Sequence, residues 1–210
     1  MKRDSALTRF QALAQIPSAG PSLSFSYPLI CFAFLLIGDK TIGRIQLSRK
    51  LGLGEGAVRT ILRRLSRAGL VRSTRRGCAL SPKGLSLHKR LRASISETHV
   101  VDARQLALDS SSTAILVRRS AQRVRQGLEQ RDVAVRAGAT GACTMLAKRG
   151  GFVMPTISEE AWRLDLNDPL AEELVRVFNP QSDDVIIIAS AKKKNIADCA
   201  VLAAGLTLVD

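Results

Sequence analysis

From Gly43 to Pro82 the chain reads GRIQLSRKLGLGEGAVRTILRRLSRAGLVRSTRRGCALSP, and this stretch constrains the fold more than any other. Arg44–Leu51 is a short helix with Ile45, Leu47 and Leu51 as its apolar positions. Gly52-Leu53-Gly54 is a turn. Glu55–Ala68 carries Val58, Ile61, Leu62 and Leu65 at the i, i+3, i+4, i+7 spacing of one buried helical face. Gly69 stands where a helix ends in the left-handed conformation. Leu70–Ser73 and Cys78–Leu80 are predicted to pair over Thr74–Gly77, with Gly77 at positive φ. The order is helix, turn, basic helix, basic hairpin.

If that apolar face of Glu55–Ala68 is buried, the helical period turns Gly56, Arg59, Thr60, Arg63 and Arg67 outward. After Glu55 no acidic residue lies at i±4 along this face, so its charges repel one another unless an anion meets them. Glu55 itself suits a helix N-terminus through the dipole. A basic helix of this kind enters the DNA major groove by its N-terminal part. Gly56, Arg59, Thr60 and Arg63 are therefore the expected base readers. Arginine donates a planar fork to guanine O6 and N7, and Thr60 offers a hydroxyl or a methyl. Arg64 and Arg67, Arg44, Arg49 and Lys50 on the preceding helix, and Arg72, Arg75 and Arg76 on the hairpin are the expected phosphate contacts, which position rather than specify. With six to eight such contacts, affinity should fall with salt at a log–log slope of about −5 to −7. The region has no aromatic platform for single-stranded nucleic acid.

Charge supports the same division. Residues 1–96 hold 18 Lys and Arg against Asp4, Asp39 and Glu55, whereas residues 97–210 hold 14 against 15 acidic residues. The net charge of +14 thus belongs to one half, as in a polyanion-binding module joined to an electrically ordinary one. The chain is 46% hydrophobic, enough to bury a core. Cys31, Cys78, Cys143 and Cys199 are scattered, with no CxxC and no nearby His. They read as free thiols rather than as zinc ligands or disulfides. The start lacks a signal-peptide core, and the longest apolar run, Leu29–Ile37, is far short of the ~20 residues that span a bilayer. The expectation is a cytoplasmic protein with no membrane segment, no metal and no cofactor.

Residues 1–24 form an N-terminal extension, either disordered or a docking arm. Leu7, Phe10, Leu13 and Ala14 could line a helical face before Pro17, Gly20 and Pro21 interrupt it. Pro28 is placed for the first helical position, after Ser26 or Tyr27. The helix it opens ends near Gly38 and is apolar nearly all round, so it needs cover on several sides, from its own core or from the partner subunit of a homodimer. Ser81-Pro82 starts another helix, with Leu87, Leu91 and Ile95 on one face. Residues 25–96 make up the DNA-binding domain.

Residues 97–210 change character. Val100–Leu108, Thr113–Val117, Ala142–Leu146, Phe152–Pro155 and Asp184–Ser190 are predicted strands. Ala121–Ala137, a helix capped by Asp168-Pro169 and ending near Phe178, and Asn195–Ala204 are predicted helices. Runs of strands separated by helices point to α+β, with a two-layer domain and a mainly antiparallel sheet. No catalytic set stands out. His88 and His99 have no nucleophile beside them. Glu129 and Asp132 read as partners of Arg125 and Arg136 at i, i+4 spacing. Arg118-Arg119-Ser120, and Ser190 followed by Lys192, Lys193 and Lys194, lie between a strand and a helix N-terminus, where free N–H groups and cations would suit a small anionic effector.

The stretch LSRKLGLGEGAVRTILRRLSRAGLVRSTRRGCALSPKG resembles the winged-helix core of many prokaryotic transcription regulators. Its GLGEGAVRTIL segment resembles a group of archaeal winged-helix proteins with a C-terminal domain of unknown function, and LVRRSAQRVRQGLEQRDVAVRAGATGA in the second half supports the match. The resemblance covers about residues 25–210. It implies an N-terminal winged helix-turn-helix domain that binds double-stranded DNA. It also implies a C-terminal domain with a two-layer antiparallel-sheet fold, related to a small domain appended to some tRNA-charging enzymes. The expected function is that of a non-enzymatic transcription regulator, with a second half that dimerises or senses a ligand. The alternative is an RNA-associated or enzymatic protein in which the winged helix only docks.

Overall fold

The computed structural model describes residues 6–15, 26–109, 111–155 and 162–209. The chain is α+β: a helical N-terminal region followed by a sheet-rich region. Packing divides it into two units, residues 1–91 and 92–209, with the division inside the helix Pro82–Ser94.

The first unit contains α1 (Ala6–Gln15), α2 (Tyr27–Asp39), α3 (Arg44–Leu51), α4 (Glu55–Arg67), the hairpin β1 (Val71–Thr74) and β2 (Gly77–Leu80), and most of α5 (Pro82–Ser94). α2 buries Ile30, Cys31, Phe32, Ala33, Phe34, Leu35 and Ile37. It packs on α1, α3, α4 and β2. One chain therefore covers the helix whose all-round apolarity raised the question of a partner subunit. Within the predicted extension, α1 buries Phe10 and Leu13, and the Phe10 and Phe34 rings lie 5.3 Å apart. The Leu7 side chain and Pro17, Gly20 and Pro21 lie outside the described residues. Ile45, expected in the core, is 56% exposed. Two residues of helix turn it to the side opposite Leu47, and α3 buries only Leu47 and Leu51. Ser81 caps α5 as expected: its hydroxyl accepts the Gly84 N–H at 3.0 Å and donates to the Gly69 carbonyl at 2.5 Å.

The second unit is built on a six-stranded antiparallel sheet in the order β3-β4-β8-β5-β6-β7. Its strands are β3 (His99–Val101), β4 (Ser112–Val117), β5 (Gly141–Lys148), β6 (Gly151–Val153), β7 (Arg163–Asp165) and β8 (Val185–Ser190). Its helices are α6 (Leu128–Arg136), α7 (Pro169–Phe178) and α8 (Lys194–Leu206). α7 lies over the face carrying Ala114, Leu116, Met145, Ile186 and Ile188. α8 and α6 lie over the other face, where Thr113 and Ile115 alternate with that set. The sheet thus has helices on both faces, one layer more than the strand pattern led us to expect. The central strands β4 and β8 are accordingly buried at every position.

Two predicted elements differ in extent. The strand expected over Val100–Leu108 ends at Val101. The Asp102 carboxylate accepts the Arg104 N–H at 3.2 Å and turns the chain into a single 3₁₀ turn, Arg104–Leu106. The helix expected from Ala121 is a 3₁₀ turn at Ala121–Arg123, after which α6 begins only at Leu128. Gly127 stands between them at φ +72, where an added Cβ would come within 3.1 Å of the Thr144 side chain. Arg125 therefore precedes the helix and has no i, i+4 helical relation to Glu129. β7 is an addition to the predicted strands.

Candidate nucleic-acid interface

The geometry of the basic segment begins at the turn between α3 and α4. Gly52 adopts the left-handed conformation, φ 66 and ψ 32. The Leu53 N–H donates to the Ser48 carbonyl at 3.1 Å and the Gly52 N–H to Arg49 at 3.3 Å. This double closure ends α3 sharply, and the Ser48 hydroxyl ties to the Leu53 carbonyl. Gly54 caps α4 through its carbonyl, which accepts the Val58 N–H at 3.2 Å. α4 then buries Val58, Ile61, Leu62 and Leu65, as its period predicts, and Gly69 leaves it at φ +70.

The hairpin pairs Val71–Thr74 with Gly77–Leu80 around Arg75 and Arg76. Gly77 has φ +128, and a Cβ there would stand 2.7 Å from the Ile42 carbonyl oxygen. Glycine is needed because Cys78 and Ile42 exchange both backbone hydrogen bonds, at 2.9 and 3.3 Å. That bridge fastens the hairpin to the segment leading into α3 and sets Arg44 beside Cys78. Burial pushes the Cys78 thiol above its ordinary range, against an opposing pull from the Arg44 charge.

Of the twelve residues expected at the interface, eleven stand at or near the surface. Gly56, Arg59 and Arg63 are exposed on α4, as are Arg67 beyond them, Arg44, Arg49 and Lys50 on α3, and Arg72, Arg75 and Arg76 on the hairpin. Thr60 is half-buried and donates its hydroxyl back to the Gly56 carbonyl at 3.2 Å. Gly56 has an ordinary backbone, and an added Cβ would meet nothing within 4 Å. The fold gives no reason for glycine there.

Arg64 corrects the sequence reading. It is 4% exposed, and its Nη1 donates to the carbonyls of Leu13 and Ala14 at the end of α1, 3.2 Å each. It satisfies a helix C-terminus and is withdrawn from any phosphate. Its helical phase falls between the outward stripe and the core, on the flank that α1 covers.

Between α4 and the hairpin lies a concave cleft of about 430 Å³ lined by Arg44, Arg59, Arg63, Leu62, Ser66, Ser73, Thr74, Gly77 and Cys78. Ser66, Ser73 and Thr74 are additions to the expected site residues. Ser66 lies seven residues after Arg59 and three after Arg63, a spacing that places all three on one flank.

The two candidate effector junctions are largely committed to contacts within the second unit. The Arg118 guanidinium pairs with the buried Asp184 carboxylate at 2.8 Å and donates to the Phe178 and Asn179 carbonyls. The Arg119 N–H also goes to Asp184, at 2.9 Å. Ser120 is buried and donates to the carbonyls of Arg118 and Leu208. The chain then makes a three-residue 3₁₀ turn, too short to present an anion site. Ser190 is buried against Ser112, 2.6 Å between hydroxyl oxygens, and accepts the Asp109 N–H. Lys194 pairs with Asp198 at 2.7 Å. The side chains of Arg119, Lys192 and Lys193 remain exposed with no ion pair among the described residues. The register pairs Val117 with Val185 and Thr113 with Ala189, so the two junctions sit at opposite ends of β8.

Elsewhere, His88 Nε2 is 2.9 Å from Asp39 Oδ1, and the His99 ring packs edge-on to Phe178 at 6.3 Å. Among the described residues no group of three or more His, Cys, Asp or Glu could hold a metal ion. None of their helices is long and apolar enough to cross a membrane.

Known proteins divide the chain in a similar way. Residues 29–86 match the model of the PH0730-like N-terminal domain. Residues 108–208 match a domain of unknown function, DUF4443. Among solved structures, the hypothetical protein PH0730 from Pyrococcus horikoshii OT3 is 27% identical with a TM-score of 0.72, over 88% of this chain and 92% of that one. The PH0730-like segment thus contains α3, α4 and the hairpin, and the fold extends across both matched regions. An IclR transcriptional regulator from Alicyclobacillus acidocaldarius aligns over 88% of this chain and 97% of its own at 13% identity and a TM-score of 0.29, too low to carry an argument. No curated protein matches.

Proposed function

We propose that the chain is a sequence-specific double-stranded-DNA-binding transcription regulator whose N-terminal unit is a winged helix-turn-helix. α4 enters the major groove with Gly56, Arg59, Thr60 and Arg63, and the hairpin β1–β2 lies on the minor groove or backbone as the wing. The observation that carries the reading is the state of the arginines. Arg44, Arg59, Arg63, Arg67, Arg72, Arg75 and Arg76 all stand exposed without an ion pair among the described residues. Like charges gathered on one surface without counter-charges are stabilised by a polyanion. Gly56 fits the same picture, because a helical glycine that the fold does not require allows close approach of another molecule. The second unit, with its neutral charge balance, serves as an oligomerisation or ligand-sensing domain in a cytoplasmic homodimer.

The test is a gel shift of the full chain against genomic fragments, followed by selection of a binding site from random duplexes. Arg63→Ala should abolish the shift at physiological salt. Persistence of the wild-type shift in both Arg59→Ala and Arg63→Ala rejects α4 as the reading helix.

A further inference from the structure

Helical phase separates two jobs on α4. At 100° per residue, Thr60 lies about 40° to one side of Gly56, and Arg59 about 60° to the other, toward the hairpin. On the same count Ser66 lies about 80° round on that side and Arg63 only about 20° from Gly56, and Arg44, Arg59, Arg63, Ser66 and Ser73 all line the cleft. Neither serine hydroxyl, and none of the three guanidinium groups, has a side-chain partner among the described residues. The Thr74 hydroxyl is committed to the Gly77 carbonyl at 2.8 Å. No carboxylate lines the cleft. Arg44 has its place because the Ile42–Cys78 bridge fixes the start of α3 against the hairpin. A concave site with three unpaired guanidinium groups and two free hydroxyls is a receptor for one tetrahedral oxyanion, since guanidinium forks match phosphate oxygens two at a time.

We infer that this cleft seats a single phosphate group, held by Arg44 and Arg59 with Ser66 and Ser73, and that Arg59 is a phosphate clamp rather than a base reader. Base reading then falls to Gly56, Thr60 and Arg63. Assigning the phosphate to a DNA phosphodiester rests on the proposed function. A free phosphorylated ligand offers the same chemistry, and the experiment separates the two.

In the first arm, inorganic phosphate is titrated into the full chain without DNA, and the arginine Nε–H resonances are followed by NMR. Arg44 and Arg59 should shift together and saturably in wild type. Arg59→Ala, with folding checked by circular dichroism, should remove the response of Arg44, and Ser66→Ala should weaken it. No saturable shift of these two resonances overturns the inference, whether or not duplex DNA binds. In the second arm, duplexes carrying the selected site and each of its point variants are bound at several salt concentrations. Arg59→Ala should reduce the log–log salt slope by about one and lower affinity by a common factor across all variants. Arg63→Ala and Thr60→Ala should instead flatten preference at individual positions. Flattened preference at one base with an unchanged slope in Arg59→Ala makes Arg59 a base reader and overturns the inference. A phosphate response with an unchanged slope and unchanged preferences overturns the backbone assignment and leaves a free phosphorylated ligand. If wild type binds no duplex, the proposed function fails, and the first arm alone decides the cleft.

Discussion

Replacing Arg64 by methionine separates the structural account of that residue from the one its charge suggests. Its guanidinium supplies two hydrogen bonds to the last carbonyls of α1. Bonds from a charged donor contribute about 1.5–3 kcal/mol each, and a cation at a helix C-terminus adds about 0.3–1 kcal/mol more. One nitrogen serves both carbonyls at 3.2 Å, so the lower bound per bond is appropriate. Methionine recovers part of the packing of the alkyl stem. The expected net loss is about 3 kcal/mol, which is roughly two orders of magnitude in an equilibrium constant. The loss should be local. α1 should open more often from α2 and expose Phe10, while the rest of the first unit keeps its packing.

Hydrogen exchange under native conditions reads this directly. Amides of α1 around Phe10 and Leu13 should exchange about a hundredfold faster in Arg64→Met, with α4 amides little changed. The salt slope of duplex binding should stay at its wild-type value, whereas Arg67→Ala should reduce it by about one. Unchanged α1 exchange together with a slope reduced by one would show that Arg64 reaches phosphate, and the structural reasoning would be wrong.

Three other perturbations have definite expected outcomes. Gly56→Ala should raise the thermal midpoint, since Ala is favoured over Gly in an exposed helix by about 0.5–1 kcal/mol, yet weaken duplex binding by about tenfold; tighter binding would mean that no partner approaches Gly56. Asp184→Asn should cost about 2–4 kcal/mol in urea unfolding, because the buried carboxylate accepts from Arg118, Arg119 and Gln181 and an amide nitrogen cannot; a midpoint within error of wild type would refute that role. Burial pushes the Cys143 and Cys199 thiols up to about 12, so both remain protonated at pH 8 and should resist iodoacetamide in the native protein while reacting in denaturant. Rapid native labelling of either, detected by mass spectrometry, would contradict this.

What the sequence revealed depended on how local the determining physics was. α3, α4 and α7 fall where their apolar spacing, glycines and Asp168-Pro169 place them, because each end is set by residues within one turn of it. The Asp168 side chain accepts the Leu170 N–H at 2.8 Å, a contact readable from adjacent letters. The role of Arg64 was hidden because its partner lies about fifty residues away in the chain. Arg118 was misread for the same reason: Asp184 meets it only once β4 has paired with β8. The cleft, too, was out of reach. Arg59 and Ser66 share a flank that the helical period reveals, but Arg44 joins them through the Ile42–Cys78 bridge, which no local pattern encodes.

The position of β8 has a consequence for synthesis. It comes last in chain order among the strands of its sheet, yet it lies between β4 and β5 at the middle. As the chain leaves a ribosome, residues 6–91 emerge with α1–α4, the β1–β2 hairpin and most of α5 in hand. The next ninety or so residues then emerge with β3–β4 and β5–β6–β7 as separate pieces and nothing to join them. Val185–Ser190 completes the sheet, and α8 must come after it to cover the second face. Domains generally fold as units as they emerge, so the N-terminal unit can be native while its larger companion still exposes the apolar faces of β4 and β5. The second unit therefore cannot complete its sheet until Val185–Ser190 has emerged, and its dependence on chaperones should be concentrated before that point.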